Sequence, residues 1–322
     1  MHFPRFGSFM ESSDSEPEVP DVAAVKNNPI KGMEPLNLKL EVFDPESMID
    51  YFTTLIYGCR RIGKTFLASW ILSKIGKRFD EAHLYSKTSQ IQPDAWDMIP
   101  KENHHVGFDE TDLKKRIGDQ KKQVNDALEQ YRKAKKDGRN EKFDKQKQIP
   151  HLLIVLDDIV SDPNVYSSEL LKDLFILGRH YHISVIVLSQ NTGRRGSFCT
   201  DMRDNADYVF ASCMKSHRSL ETLAEDYFGV EGTKRGMQML HEITQKENQF
   251  AVAELHLRAR TALPDYVRTV IAEKWRPFHL KSKKRKTEIP IESSYHYESK
   301  RRQFSENPHK TTTYSGDSKP YY

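Results

Sequence analysis

The sequence is poor in the features that mark membrane and secreted proteins. Its 322 residues include only three cysteines, Cys59, Cys199 and Cys213, with the spacing of neither a metal site nor a disulfide framework. No apolar run reaches the roughly 18 to 20 residues that a membrane-spanning helix needs. A leader with a charged start and an apolar centre is also missing. These absences predict an intracellular protein, not secreted, without a membrane span.

Charge is distributed unevenly, although the formal net charge is only +4. The beginning of the chain is acidic, with five acids and no base between Glu11 and Asp21, whereas the run 281–286 is nearly all basic. Such ends have little to bury. We therefore expect flexible tails over 1–35 and 279–322, on either side of one large domain over 36–278.

The most informative segment lies between residues 53–57, which predict a strand, and residues 66–72, which predict a helix. It fits the phosphate-loop pattern G-x-x-x-x-G-K-[ST] at every position: Gly58, Cys59, Arg60, Arg61, Ile62, Gly63, Lys64 and Thr65. The glycines let backbone N–H groups turn toward a polyphosphate, and the helix start adds a positive dipole. The motif predicts a nucleoside triphosphate site, where Lys64 reaches the β- and γ-phosphates and Thr65 ligates Mg²⁺.

A second motif is an apolar strand that ends in two carboxylates. The run 152–156 is apolar on both faces, as in a central parallel strand, and Asp157 and Asp158 follow it. That end of the strand would lie where α/β folds bind ligands. Asp157 is then predicted to hold Mg²⁺ through water, and Asp158 to orient or deprotonate the attacking water. The alternative is a buried strand followed by a solvated turn.

A polar amide at the end of a later strand predicts a sensor of the γ-phosphate. The apolar run 183–188 is followed by Ser189 and Gln190. In this division of phosphate-loop NTPases that strand lies between the two motif strands, so Gln190 would contact both the γ-phosphate and the lytic water. The alternative is that Ser189, Gln190 and Asn191 only terminate the strand.

The other periodic segments predict strands that alternate with helices. Predicted strands cover 36–42 at the sheet edge, 81–86, 207–211 and 250–255. Predicted helices cover 169–181, 216–228, 232–244 and 264–275. This order predicts an α/β, RecA-like phosphate-loop NTPase, in which a mostly parallel sheet carries helices on both faces.

A charged insertion over 112–148 precedes the carboxylate strand. Its apolar residues fall on one helical face: Leu113, Ile117, Val124, Leu128 and Tyr131. Its excess of bases over acids is compatible with nucleic-acid binding. A long solvated helix packed along one stripe explains the same pattern without a ligand.

In their order and spacing these motifs resemble one family. To the phosphate loop and the Asp-Asp strand the chain adds Leu-Gly-Arg-His at 177–180, Val-Leu-Ser-Gln at 187–190 and Arg-Asp-Asn-Ala-Asp-Tyr at 203–208. This arrangement, over about residues 45–275, resembles the genome-packaging ATPases of large double-stranded DNA viruses and virophages, of the poxvirus type, in the FtsK–HerA superfamily. Many members of the wider superfamily carry Asp-Glu where this chain has Asp157-Asp158, whereas viral packaging members often carry Asp-Asp.

The resemblance implies a ring, a pentamer or hexamer, that uses ATP and Mg²⁺ to translocate double-stranded DNA into a preformed capsid. Its partners would be capsid or portal-vertex proteins, and its location the virion or the virus assembly site, in cytoplasm or nucleus. Each site would be completed by an arginine of the neighbouring subunit. Arg179, ranked first, and Arg203 match the family's positions, although each could instead pair with a surface acid.

Two basic segments are candidates for contact with partners. Arg194 and Arg195 lie between two glycines in the loop after the sensor strand, which suits contact with DNA phosphates, and a solvated loop is the alternative. The run 281–286 is compatible with a nuclear-import signal, a DNA-binding arm or a capsid-docking tail. Other functions compatible with the motifs are a cellular or plasmid DNA pump or helicase, and a non-hydrolysing ring that nucleotide only stabilises.

Overall fold

A single sheet organises the part of the chain that the computed structural model describes, residues 36, 38–89, 93–136, 149–159, 165, 168–192, 199–258 and 260–280. Its strands are β1 Thr53–Tyr57, β2 Glu81–Ser86, β3 His104–Val106, β4 Leu152–Asp157, β5 Ile183–Ser189, β6 Tyr208–Ala211, β7 Gln249–Glu254 and β8 Val267–Ile271. They are ordered β3-β2-β4-β5-β1-β6-β7-β8. The first six strands along the chain run parallel to one another. β7 pairs antiparallel with β6, and β8 pairs antiparallel with β7.

Helices cover both faces of this sheet. Their bounds are α1 Lys64–Ile75, α2 Glu110–Lys136, α3 Glu169–Leu177, α4 Thr200–Asp204, α5 His217–Leu223, α6 Thr233–Ile243 and α7 Leu263–Tyr266. Because successive side chains of a strand point to opposite faces, Leu55 lies in one apolar cluster and Ile56 in the other. The first cluster contains Leu171 of α3 and the second contains Leu67 of α1. The predicted fold class is therefore confirmed.

The strand order brings the three predicted motifs next to one another. β5, which leads to Gln190, pairs with β4 on one side and with β1 on the other. The register aligns Tyr57 with Ser189 and Asp157 with Leu188, so all three strands end level. The prediction that the sensor strand lies between the two motif strands is confirmed.

The predicted edge strand over 36–42 is wrong. Val42 forms only an isolated bridge with Thr269 and is 72% exposed. The backbone N–H of Leu36 donates to the carboxylate of Glu242 (3.1 Å) and not to a neighbouring strand. Leu36, Leu38 and Leu40 are partly buried against the core. Their alternation therefore reflects contact with the core by a chain that forms no ladder.

The predicted helix over 264–275 is also wrong. α7 ends at Tyr266, and the chain continues as β8, antiparallel to β7. Four of the five residues in β8 are β-branched (Val267, Thr269, Val270 and Ile271), a composition that favours a strand. The three-residue edge strand β3 was not predicted.

The charged insertion forms the 27-residue helix α2, and residues 137–148 lie outside the described ranges. Leu113, Ile117 and Val124 of the predicted stripe are buried. Gln120 adds a polar anchor, because its amide donates to the carbonyls of Pro150 (2.7 Å) and Tyr181 (2.9 Å). None of the helices in the described part of the chain combines the length and apolar composition that a membrane crossing requires.

Both predicted tails fall almost entirely outside the described residues. The described part nevertheless extends two residues beyond the predicted domain boundary at 278. Leu280 is buried against the core, and its N–H donates to the carbonyl of Met98 (2.7 Å).

Candidate active site

The phosphate loop joins β1 to α1 and needs glycine at two positions. Gly63 has a φ of +90°, and a Cβ there would lie 1.9 Å from Oδ1 of Asn248. A Cβ at Gly58 would lie 2.7 Å from Cγ2 of Ile62, within the loop itself. Side chains at these two positions would therefore disrupt the curved backbone that makes a phosphate cradle.

Neighbouring strands hold the beginning of this loop in place. The N–H of Gly58 donates to the carbonyl of Ser189 (3.3 Å), at the end of β5. The N–H of Cys59 donates to the carbonyl of Cys213 (3.1 Å), just beyond β6. Since α1 begins at Lys64, its first N–H groups have no partner within the helix and are available to an anion.

Lys64 points its ammonium group into the loop. Nζ donates to the carbonyl oxygens of Gly58 (2.9 Å) and Cys59 (3.0 Å). Burial lowers the pKa of Lys64, and attraction to Asp157 opposes that shift. The cation therefore lies where a phosphate would enter, held by carbonyl groups that phosphate oxygens can replace.

Asp157 is a carboxylate with little access to water. It ends β4 and is 7% exposed, and its Oδ2 accepts a hydrogen bond from Nε1 of Trp96 (3.0 Å). Burial raises the pKa of Asp157 to about 6, although the Trp96 hydrogen bond and attraction to Lys64 lower it. A buried acid is costly to keep charged without a cation, so this position favours a bound metal ion.

Asp158 and Gln190 contact each other beside this acid. Nε2 of Gln190 donates to Oδ1 of Asp158 (3.0 Å), across two adjacent strand ends. Asp158 has a φ of +52°, a left-handed conformation that non-glycine residues adopt at a cost of about 1 to 3 kcal/mol. The turn after β4 thus brings the second carboxylate to the amide of Gln190.

The four side chains lie together at the carboxyl ends of β1, β4 and β5. Neighbouring strands lie about 4.8 Å apart, which places the ends of β1 and β4 roughly 10 Å apart with β5 between them. Lys64 interacts electrostatically with both Asp157 and Asp158, and Asp158 is bonded to Gln190. The structure therefore brings together Lys64, Asp157, Asp158 and Gln190, and their chemical roles remain predictions.

The oxygen groups at this edge suit Mg²⁺. Thr65, the second residue of α1, carries a hydroxyl group, and Asp157 carries a buried carboxylate. Mg²⁺ prefers such oxygen ligands, and in nucleotide sites it takes the remainder from phosphates and water. The residues present therefore fit this metal.

The predicted arginines do not join this group. Arg179 lies in the turn Gly178–Tyr181 just before β5, at the edge where the parallel strands begin, and is exposed. Arg203 in α4 forms an ion pair with Asp226 of its own chain and is 13% exposed. Arg194 and Arg195 lie outside the described residues.

Two residues at the site escaped prediction from the sequence. Trp96 lies in the turn Pro93–Trp96, and Asn248 lies against Gly63 just before β7. Neither belongs to a spaced motif. The only sequence signal for Asn248 is its tolerance of positive φ, which it adopts at +57°.

With this strand order and a phosphate loop between β1 and α1, the protein is a RecA-like phosphate-loop NTPase. The profile of the family described as Poxvirus A32 protein matches residues 41–254, about two thirds of the chain. The chain belongs to the poxvirus A32 protein family. This result confirms the predicted resemblance to the poxvirus-type packaging ATPases.

Solved structures with a similar chain path have low sequence identity. The genome packaging NTPase B204 from Sulfolobus turreted icosahedral virus 2, in complex with AMPPCP, is 11% identical; the match covers 70% of this chain and 98% of that chain, with a TM-score of 0.43. The pCW3 conjugation coupling protein TcpA, with ATPγS, is 12% identical; the match covers 72% of this chain and 61% of that chain, with a TM-score of 0.46. No curated protein is significantly similar in sequence.

Proposed function

We propose that this protein hydrolyses ATP to translocate double-stranded DNA, and that it packages a viral genome into a preformed capsid. The observation that carries the proposal is the convergence of Lys64, Asp157, Asp158 and Gln190 at one edge of the sheet. A protein that only bound nucleotide would not need the hydrolytic pair Asp158 and Gln190. Membership of the poxvirus A32 family supports genome packaging as the purpose of the movement.

Binding begins with an exchange of partners at Lys64. The ammonium group leaves the carbonyls of Gly58 and Cys59 for the β- and γ-phosphates, while the loop N–H groups bind the phosphate oxygens. Thr65 and Asp157 would hold Mg²⁺, which would supply charge neutralisation at the phosphates and in the transition state.

Hydrolysis uses the hydrogen-bonded pair beyond β4 and β5. Asp158 accepts the proton of the attacking water, and Gln190 fixes the orientation of both that carboxylate and the water. Because β5 lies between the strands that carry the phosphate loop and Asp157, Gln190 reaches the γ-phosphate from between them.

Arg179 acts in the site of a neighbouring subunit. It precedes β5, whose seven residues span roughly 20 Å, whereas its own chain's site lies beyond the other end of that strand. Arg179 therefore reaches a γ-phosphate only if subunits pack head to tail, as in a ring of five or six. A guanidinium supplied in this way stabilises the transition-state charge.

The ring would surround duplex DNA and act at the virion or the virus assembly site, next to capsid or portal-vertex proteins. Loops that face a central channel need bases to contact DNA phosphates without reading sequence. Arg194 and Arg195 remain the proposed contacts.

Phosphate release from ATP and Mg²⁺, with and without duplex DNA, tests this function. We expect turnover that duplex DNA stimulates, and Lys64→Ala should reduce it at least about 100-fold, because the charge on the phosphates loses its cation. The matched control is Lys77→Ala, an exposed lysine just after α1 that should leave turnover unchanged.

Movement along DNA is measured by displacement of a third strand bound at one end of the duplex. Retained turnover in Lys64→Ala would show that the site is misplaced. Nucleotide binding without phosphate release, even with DNA, would support the non-hydrolysing ring.

A further inference from the structure

We propose that Trp96 is a positioning residue, whose indole N–H fixes the carboxylate of Asp157 in the orientation that binds Mg²⁺. The inference rests on the proposed role of Asp157 as a metal ligand. It adds a residue from the connection between β2 and β3, which carries none of the predicted motifs.

The contact between the two side chains is buried. Nε1 of Trp96 lies 3.0 Å from Oδ2 of Asp157, and Trp96 is only 1% exposed. A hydrogen bond to a carboxylate is stronger than one between neutral groups, and it is stronger still where water is excluded. Asp157 therefore has one preferred orientation before any ligand arrives.

The turn that carries Trp96 is itself attached to the phosphate-loop helix. The hydroxyl group of Ser69, in α1, donates to the carbonyl of Ala95 (3.1 Å), and Ser69 is buried. The N–H of Ile99 donates to the carbonyl of Trp96 (2.9 Å), which closes the turn. The turn thus links the helix that begins at Lys64 to the carboxylate at the end of β4.

The hydrogen bond from Trp96 makes the two carboxylate oxygens of Asp157 inequivalent. The indole uses one of the two lone pairs of Oδ2, which leaves Oδ1 as the freer oxygen for a metal ion or its water. Mg²⁺ demands near-ideal octahedral geometry and usually binds through single carboxylate oxygens. Partners behind a metal ligand orient it, and their loss typically weakens metal binding about 10- to 100-fold.

Two substitutions at Trp96 separate the hydrogen bond from packing. Trp96→Phe removes the ring N–H. Trp96→His makes the side chain smaller but retains a ring N–H. The matched control is Trp70→Phe, which removes a buried indole from the same apolar cluster without a contact to Asp157. Ser69→Ala, which frees the turn and leaves the indole intact, is a second test if Trp96→Phe does not fold.

The readout is the affinity for ATPγS with Mg²⁺ and with EDTA, measured by calorimetry on the full chain. We expect Trp96→Phe to reduce the Mg²⁺-dependent gain in affinity about 10-fold while the affinity in EDTA stays native. Trp96→His should recover part of the gain, Ser69→Ala should lose a smaller part, and Trp70→Phe should match the native protein.

An unchanged Mg²⁺-dependent gain in Trp96→Phe, or in Ser69→Ala if Trp96→Phe does not fold, overturns the inference. Equal losses in Trp96→Phe and Trp70→Phe also overturn it, since they would reflect core packing alone. Because binding is measured without turnover, a native protein that binds Mg·ATPγS but never releases phosphate contradicts the proposed function and not this role of Trp96.

Discussion

The two ends of the parallel strands use polar groups in opposite ways. At the carboxyl ends, Lys64 and Asp157 are ionisable groups whose charged forms are opposed by burial. At the amino ends, polar groups satisfy one another: His151 contacts the hydroxyl of Ser184 (2.8 Å), and Thr53 donates to Asp207 (2.9 Å). One edge is built to bind and the other to hold the sheet together.

Residues with positive φ occur at both edges, but the contacts of their side chains differ. Tyr51 and His182, at the amino ends, have positive φ values of 58° and 57° and stack on each other with their rings 4.2 Å apart. At the carboxyl ends, Asp158 has a φ of 52° and its partner is the predicted sensor Gln190. Left-handed backbone is therefore accompanied by ring stacking at one edge and by the predicted catalytic contact at the other.

The proposed role of Arg179 would make the amino-end edge part of a catalytic site, against the division just described. Arg179→Ala should reduce DNA-stimulated turnover about 1000-fold, with ATP affinity nearly unchanged, since its guanidinium acts on the transition state of the next subunit. Mixing Arg179→Ala with Lys64→Ala should restore activity. In a head-to-tail ring, roughly a quarter of the sites in an equal mixture combine an intact loop with an intact arginine.

Phosphate release from the two variants, alone and mixed, is the measurement. The control mixture combines Lys64→Ala with Arg203→Ala. In the native protein Arg203 is paired with Asp226 of its own chain. If Arg179→Ala is as active as the native protein, Arg179 has no role in a neighbouring site. If Arg203→Ala complements Lys64→Ala instead, the two arginines exchange their ranking.

At the carboxyl-end edge we expect a smaller loss of turnover. Gln190→Ala should reduce kcat about 10- to 100-fold and leave the KM for ATP nearly unchanged, because the amide orients water and not the nucleotide. Asp158→Asn should act through the same contact. The double variant is then expected to be little worse than the more damaged single variant.

Steady-state kinetics of the two single variants and the double variant complete this cycle. Independent, multiplicative losses would show that the 3.0 Å contact between Gln190 and Asp158 does not function as a unit. A rise in KM alone would assign Gln190 to nucleotide binding.

The sequence predicted best where burial and motif coincided. β1 and β4 are buried on both faces and fixed by flanking motifs, so their bounds followed from the residues. Their places beside β5 followed from the known strand order of this division of phosphate-loop NTPases. β8 was missed because its pairing with β7 is a tertiary contact, which a short local pattern does not predict. Trp96 was missed for a related reason, since its contact with Asp157 joins residues 61 positions apart.

The last prediction concerns the free energy of unfolding. With falling pH, the contribution of His151 to it should decrease and that of Asp157 should increase. Burial, with repulsion from His182 and Arg78, lowers the pKa of His151 from 6.5 to about 3, so its contribution is complete above pH 6.5 and is lost as pH falls. Burial raises the pKa of Asp157 from 3.8 to about 6, so its contribution is complete below pH 3.8 and is lost as pH rises. Each proton is worth about 1.4 kcal/mol per pH unit in this window.

Relative to the native protein, His151→Gln should therefore gain stability as pH falls from 6 to 4, by roughly 2 kcal/mol, and Asp157→Asn should lose a similar amount. Urea unfolding without nucleotide or Mg²⁺ at several pH values measures both changes, with the exposed His241→Gln as control. If the plots of unfolding free energy against pH for both variants ran parallel to that of the native protein, the pKa values of His151 and Asp157 would not be shifted as described. Opposite slopes would show that neutral histidine stabilises the amino ends at the same pH at which the carboxyl ends bear the cost of a buried acid.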